Sequence, residues 1–275
     1  MATSVNTNYG AMVALQNLNR TNTELEAVQG RINSGLKVAS AKDNGATFAI
    51  AQSMRGKVAG YGVAQNTVDK AMSTVDAAIA GGNAISDLLT SLKEKATAAK
   101  DSSLTTAQRA AYNADFTRLR DEITYIVSNS EFNGANMIKA SGNNAIAFAN
   151  DTGSSLITVT AVSFALSGTT NTITTTSAVD TVTNATAALT RINASITAIN
   201  KQLAVFGSAS KALQKHKDFL GALSDTLEAG IGNLVDADLA KDSAKLSSLQ
   251  VKQQLGAQAL SIANSQSSIV LRFFQ

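Results

Sequence analysis

The chain contains no cysteine, no proline, no tryptophan and a single histidine, His216. Each absence removes a class of chemistry. Without cysteine there is no disulfide framework, no thiolate metal site and no cysteine nucleophile. One histidine leaves no paired-histidine metal site. The missing proline bears on shape. At an average usage of about 5%, a chain this long would carry roughly 14 prolines. None implies long uninterrupted helices, because proline removes an intrahelical hydrogen bond and clashes with the preceding turn. Charge is scarce too: Asp, Glu, Lys and Arg make up 16% of residues, against about 25% in an ordinary globular protein. Ser, Thr, Asn and Ala fill the gap. A formal net charge of +3 specifies no anionic partner. The first residues, Met1 to Tyr9, have neither the basic nor the apolar region of a cleavable secretory signal. No window approaches the ~18 consecutive apolar residues of a membrane span.

What is present is helical periodicity at both ends and a different pattern between them. From Ala2 to Ile32, Leu18, Leu25 and Ile32 recur every seventh residue, flanked by Met12, Leu15 and Val28, and the stripe ends at Asn33-Ser34-Gly35. From Ala46 to Ser130 the pattern predicts two helices broken near Asp101-Ser102-Ser103. Gly81-Gly82 is a weak point inside the first, since glycine costs roughly 1 kcal/mol in a helix interior, and Glu131-Phe132-Asn133-Gly134 closes the second with a turn. From Ser141 to Thr183 the chain is rich in Thr, Ser, Asn and Gly. Ile157 to Ala161 and Val162 to Leu166 alternate at period two, which predicts two short antiparallel strands with turns at Gly153-Ser154 and Gly168-Thr169. From Asn184 a long helix is marked by Leu189, Ile192, Ile196, Ile199 and onward to Leu227, and Gly230 to Asn233 is expected to interrupt it. Asp236 and Asp238 then open a last helix, acidic residues suiting its positive N-terminal end. Its stripe holds Leu239, Leu246 and Leu249, then Leu255, Ile262 and Ile269. The expected fold is mainly α with a small β element, a long antiparallel helical bundle in which the N- and C-terminal segments pair.

The ends carry an anomaly. No charged residue lies between Met1 and Arg20, and none between Lys252 and Arg272, yet both stretches keep helical apolar spacing. A helix exposed to water normally carries charge on its outer face. Here that face is amides, hydroxyls and alanine, groups that are buried at far less cost than charges when hydrogen-bonded. Pairing with each other covers one side of each helix. The remainder calls for copies of the same protein, and head-to-tail contacts that do not close into a ring generate helical filaments. The competing readings are frayed polar tails, or an amphipathic membrane anchor, which usually carries Lys or Arg on its polar face.

Particular residues then match a family. Asn33-Ser34-Gly35-Leu36-Lys37-Val38-Ala39-Ser40-Ala41-Lys42-Asp43 resembles the SSGLRI-x-SAKDDAAG signature of bacterial flagellins. Phe132-Asn133-Gly134 resembles their FNG turn. Asn233 to Ala240 and Gln250 to Leu255 resemble their C-terminal NL-x-DAD-x-A and QV-x-QQ pattern. The likeness spans residues 1–140 and 184–275 and is most similar to the short flagellins of α-proteobacteria. It lacks the proline of the family's C-terminal NQ-x-PQ stretch. The resemblance implies an extracellular structural subunit that polymerises into the flagellar filament for motility, exported by the flagellar type III apparatus without a cleaved signal peptide. Residues 1–42 and 231–275 would be the terminal helix pair of the filament core (D0-like), and residues 43–230 the surrounding bundle (D1-like), including a hairpin-like segment at 141–183. Implied partners are other flagellin subunits, the filament cap, the hook-junction proteins and a flagellar secretion chaperone, with no cofactor, no nucleic acid and no membrane insertion. The alternatives are a hook–filament junction protein, or an adhesin or receptor on the same scaffold.

The candidate subunit-packing residues are Met12, Leu15, Leu18, Leu25, Ile32, Leu239, Leu246, Leu249, Leu255, Ile262 and Ile269. Gly35, Gly45, Gly230 and Gly232 are candidate hinges. Nothing in the chain matches a catalytic, metal or cofactor motif. His216 between Lys215 and Lys217 reads as a solvated helix residue, Asp236 and Asp238 as helix-start residues rather than an acid–base pair, and Lys93, Lys95 and Lys100 as an exposed helix face. The Ser/Thr-rich middle offers hydroxyls for O-glycosylation.

Overall fold

The computed structural model describes residues 7–272, with side chains through Ser265. Its elements are α1 (Tyr9–Ser34), α2 (Gly45–Ala99), α3 (Thr106–Asn129), β1 (Ala145–Phe148), β2 (Leu156–Val159), α4 (Val182–Val235) and α5 (Leu239–Arg272). They divide into two compact units, one of residues 1–56 with 226–275 and one of residues 57–225, the division falling inside α2 and α4. At 55 and 54 residues, these two helices are each about 80 Å long.

The larger unit is built on antiparallel α2 and α4, with α3 alongside. Rungs between α2 and α4 are Asp69 with Lys217 Nζ (2.7 Å), Asp76 with Ser210 Oγ (3.3 Å) and Asn200 with Ser86 Oγ (3.1 Å). Between them lie fully buried apolar residues at steps of three, four and seven: Ile85, Leu89 and Leu92 from α2, and Ile192, Ile199 and Phe206 from α4. The turn between α2 and α3 falls where the sequence places it. Arg109 closes it by donating from Nε to the Ala99 carbonyl (3.0 Å) and from Nη2 to that of Asp101 (2.8 Å), which satisfies carbonyls the helix end leaves open. Thr105 and Gln108 form a reciprocal capping box at the start of α3. Past α3, Asn133 and Gly134 both take positive φ (50° and 79°) between the paired Phe132 and Ala135, the backbone that a two-residue turn with its Asn-Gly sequence adopts.

One weak point is accommodated and two expectations are corrected. First, α2 runs straight through Gly81-Gly82 as the one helix expected there. Both glycines are buried; a Cβ at Gly81 would run into the Ser130 hydroxyl, and one at Gly82 would lie 2.6 Å from Leu203 Cδ2. The missing side chains let neighbouring segments close on the helix, and that packing outweighs the local propensity cost. Second, α4 likewise continues through Gly230 to Asn233. A Cβ at Gly230 would sit 2.9 Å from Met54 Cε, and one at Gly232 2.8 Å from the Asp236 carboxylate. Third, the strand pair is β1 with β2, registered Ala145 to Val159 and Phe148 to Leu156, around a loop in which Gly153 has φ 69°. Val162 to Leu166 forms no strand. Its alternate amides donate elsewhere, Val162 N–H to the Met137 carbonyl (2.9 Å) and Phe164 N–H to that of Ile138 (2.8 Å). The buried Phe164 ring packs 6.1 Å from Phe206.

The polar middle is satisfied from within. Buried Asn136 donates to the Val127 carbonyl (2.7 Å) and accepts from the amides of Ile138 and Lys139 (both 2.9 Å). Buried Asn171 donates to the Phe164 carbonyl (3.1 Å). Among the described residues no buried side-chain nitrogen or oxygen lacks a partner, which is how a segment so poor in large apolar residues stays folded.

Candidate subunit-packing surface

The smaller unit joins the two chain ends. α1 starts at Asn8, whose Oδ1 accepts from the Ala11 amide (3.1 Å) and whose Nδ2 donates across to the Ala263 carbonyl of α5 (2.7 Å). It stops at Gly35, whose φ of 70° is left-handed backbone that an L side chain disfavours. Asp238 caps α5 by accepting from the Lys241 amide (3.1 Å). Asp242, in the first turn of α5, accepts both Nε (3.1 Å) and Nη2 (3.3 Å) of Arg31 in the last turn of α1. Each charge thereby also complements the dipole of its own helix. Gln253 Nε2 donates to Asn22 Oδ1 (2.8 Å). Residue numbers rise along α1 as they fall along α5, so the pair is antiparallel.

The residues that meet across this pair follow the alternating three-and-four steps of a coiled coil. On α1 they are Ala11, Ala14, Leu18, Thr21, Leu25, Val28 and Ile32; on α5 they are Asp242, Leu246, Leu249, Gln253, Gly256, Leu260 and Ala263, each buried or half-buried. The seam thins toward the chain ends, where Ala11, Ala14, Gly256 and Ala263 stand; a Cβ on Gly256 would lie 3.2 Å from Leu18 Cδ1. Among the described side chains of these two helices, only Val28 and Leu249 are buried.

Where α1 ends, the chain crosses its own C-terminal part. Lys37 N–H donates to the Val235 carbonyl (2.7 Å) and Ala237 N–H to that of Gly35 (2.9 Å). Val38, Ala51 and Val235 form a small core beneath. The motif Ser40-Ala41-Lys42-Asp43 then ties a knot: Asp43 Oδ2 accepts from the Ser40 amide (2.8 Å), the Ser40 hydroxyl (3.1 Å) and the Ala39 amide (3.1 Å). Asn44 caps α2 by accepting from the Thr47 amide (3.0 Å). The Ser40 amide and hydroxyl bonds, with the Ala39 amide and the Arg31 charge adding to them, hold the Asp43 carboxyl below its ordinary 3.8. The stabilisation is therefore present above the ordinary value and is lost as pH falls through the depressed one. In an amide NMR titration, the Ser40 and Ala39 signals are expected to move together with a midpoint below 3.8. A midpoint at or above it refutes the knot.

The candidate packing residues divide between the seam and exposed faces. Leu18, Leu25, Ile32, Leu246 and Leu249 belong to the seam. Met12, Leu15, Leu239, Leu255 and Ile262 are 62, 47, 48, 64 and 55% exposed, and Tyr9 and Val251 are exposed beside them. Geometry explains the split: at ~100° per residue, Leu255 and Ile262 lie about 120–140° round α5 from Leu249, and Met12 about 120° round α1 from Leu18. The stripe seen in the sequence is thus an inner seam plus an outward apolar row of Leu255 and Ile262 on α5 and Met12 and Leu15 on α1, while Leu239, about 160° round α5 from Leu255, faces another way. The Ile269 side chain is outside the described residues. Sequence reasoning passed over Asn8, Asn22, Gln253, the Arg31–Asp242 pair and the small seam residues. The three-and-four spacing of Ala11 and Ala14 with Leu18 would have found the last of these. Gly35 and Gly45 stand at helix ends, whereas Gly230 and Gly232 lie within α4.

Elsewhere the residues with chemical potential serve the fold. His216 Nε2 lies 3.1 Å from the Ala149 carbonyl, so it pins the β1–β2 loop and is not the freely solvated residue expected. Lys95 pairs with Asp115 at 2.8 Å. Among the described residues no group of three His, Asp or Glu is placed to hold a metal ion, and no helix is long and apolar enough to cross a membrane.

A coiled-coil pair with large apolar side chains facing outward is of the class of surfaces that pack against another chain. Comparison with known proteins makes the class definite. Residues 5–145 match the bacterial flagellin N-terminal helical region and residues 189–274 the bacterial flagellin C-terminal helical region. The chain is 48% identical over 276 residues to flagellin FljK of Caulobacter vibrioides, covering 99% of this chain and 98% of that one. It is 33% identical over 282 residues to a flagellin of Brucella melitensis, covering 99% of each. A crystal structure of Bacillus cereus flagellin superposes with a TM-score of 0.50 at 22% identity, covering 56% of this chain and 88% of that one, a likeness of fold. The chain belongs to the bacterial flagellin family. It is an extracellular structural subunit, not an enzyme, and polymerises with other flagellin subunits into the flagellar filament.

Proposed function

We propose that the α1–α5 pair is the part of the subunit that packs in the filament core, its outward Met12, Leu15, Leu255 and Ile262 buried against other copies and Leu239, on the other side of α5, against a further one. The supporting observation is that Met12, Leu15, Leu255 and Ile262, about half or more exposed, stand in sequence stretches without charge between Met1 and Arg20 and between Lys252 and Arg272. In this reading residues 1–42 and 231–275 act as the inner, D0-like part and residues 43–230, hairpin segment included, as the surrounding D1-like part. The same exposed α5 face is suited to a secretion chaperone that shields it before assembly. The filament cap and hook-junction proteins offer related surfaces at the two ends of the polymer. Export proceeds through the flagellar apparatus.

With only Val28 and Leu249 buried among the described side chains of its two helices, the pair has little apolar burial of its own and falls at the low-stability end of the chain. Gly35, Gly45, Gly230 and Gly232, where the pair joins the rest, act as hinges that let the ends order fully on assembly. Limited proteolysis tests both statements. The monomer is expected to be trimmed within α1 and α5 while the larger unit survives, and the polymer to resist. Equal protection of the ends in both states rejects the reading.

A further inference from the structure

We infer that Met12 is an oxidation site that gates assembly: its thioether is open to peroxide in the free subunit, closed to it in the filament, and its sulfoxide is excluded from the growing polymer. The inference rests on the packing reading above and adds a chemical control to it. The described chain holds four methionines. Met137 is fully buried, Met72 is packed against the main core, and Met54 is half-buried beside Gly230. Met12 is 62% exposed. It stands in the outward row, one turn from the exposed Tyr9 and Leu15, in a stretch without a single charge. A flexible apolar side chain in such a row suits burial; the same side chain carrying a sulfoxide does not.

The chemistry needs only hydrogen peroxide. A sulfur lone pair attacks one peroxide oxygen, the O–O bond breaks, and the other oxygen leaves as water after a proton shift. Sulfur loses two electrons and the peroxide gains them. The product is a polar, chiral group in place of an apolar one, and a buried S=O without a donor carries a desolvation cost. The seam face of α1 is unaltered, so the oxidised subunit keeps its α1–α5 pair and loses only its fit to neighbours. Methionine sulfoxide reductases restore the thioether, which makes the gate reversible. Once Met12 is covered in the polymer, peroxide no longer reaches it.

The test uses the full chain. Monomer is treated with peroxide until about half of Met12 is sulfoxide, then seeded with filament fragments and pelleted, and peptides covering Met12 and Met72 are quantified by mass spectrometry in pellet and supernatant. The expected result is a Met12 sulfoxide fraction at least about fivefold lower in the pellet than in the supernatant, the scale of effect that burying an unpartnered polar group produces. Intact filament treated identically should show Met12 oxidised far more slowly than monomer. Equal sulfoxide fractions in pellet and supernatant overturn the inference while leaving the packing reading standing, whereas equal oxidation rates in monomer and filament overturn the inference together with the packing reading of Met12. If untreated chain that forms filament shows Met12 still open to solvent, the packing reading of this residue falls as well. A Met12→Leu chain supplies a second readout, the ratio of treated to untreated critical concentration measured within that chain. The ratio should stay near one, against a clear rise for the parent, and an equal rise in both overturns the inference.

Discussion

Replacing Leu255 and Ile262 together by aspartate is expected to raise the concentration needed for pelletable filament by more than about a hundredfold, while the melting of the free subunit barely moves. The two halves of this result come from the same positions. Both side chains are more than half exposed in the free chain, so an added carboxylate remains hydrated, and exposed substitutions of this kind usually change stability by less than about 0.5 kcal/mol. In an assembled core the carboxylates would be enclosed; position 262 lies ten residues from the nearest basic residues in sequence, Lys252 and Arg272, while Lys252 stands one turn before position 255. An unpaired buried charge costs several kcal/mol, and each ~1.4 kcal/mol is tenfold in the equilibrium. The contrast is Leu249→Asp. Leu249 is 3% exposed, so there the charge enters the α1–α5 seam and disrupts the monomer itself. Sedimentation after seeding, with circular dichroism melts of the same samples, separates the two effects. Normal polymerisation of the Leu255→Asp, Ile262→Asp chain contradicts the assignment of the outward row.

The second large effect is in the larger unit. Phe164→Ala should cost about 3–5 kcal/mol in urea unfolding, the range for a buried phenylalanine. Phe164 is fully buried against Phe206 and close beside Gly82. The segment around it has no strand ladder, and its amide bonds to the Ile138 carbonyl depend on the ring holding the chain down. Leu156→Ala, at 53% exposure in β2, should cost far less. Similar losses for the two would show that the ring is no more an anchor than the hairpin surface is.

Part of this architecture is legible in the residues and part is not, for physical reasons. The end of α1 at Gly35, the break before Thr105, the turn at Asn133-Gly134 and the pairing of the chain ends can all be read from sequence. Each depends on a local rule or on a long periodic run. Gly230 to Asn233 misleads, and Gly81-Gly82 reads only as a weak point, because helix propensity is local, whereas what fills the space above a glycine, here Ser130, Leu203 and Met54, is tertiary. Val162 to Leu166 misleads because alternation reports which side chains face inward and not which backbone accepts the amides. β1 escapes because Ala145 to Phe148 is short and half alanine. The outward row is the case with most consequence. Period seven shows that Leu255 and Ile262 share a face, and helix geometry that this face is turned from Leu249, but not which of the two faces meets α1, because that depends on where α1 docks. Lack of charge was the signal that something besides α1 has to cover it.

Because the chain has no cysteine, one introduced thiol reports on one place. Leu255→Cys labelled with a maleimide in monomer and in seeded, pelleted filament measures directly whether the outward row is covered by neighbouring subunits. The account predicts rapid labelling of the monomer and a rate at least about tenfold slower in the filament, as expected when a side chain passes from solvent into a packed interface. Labelling at the same rate in both states would contradict it.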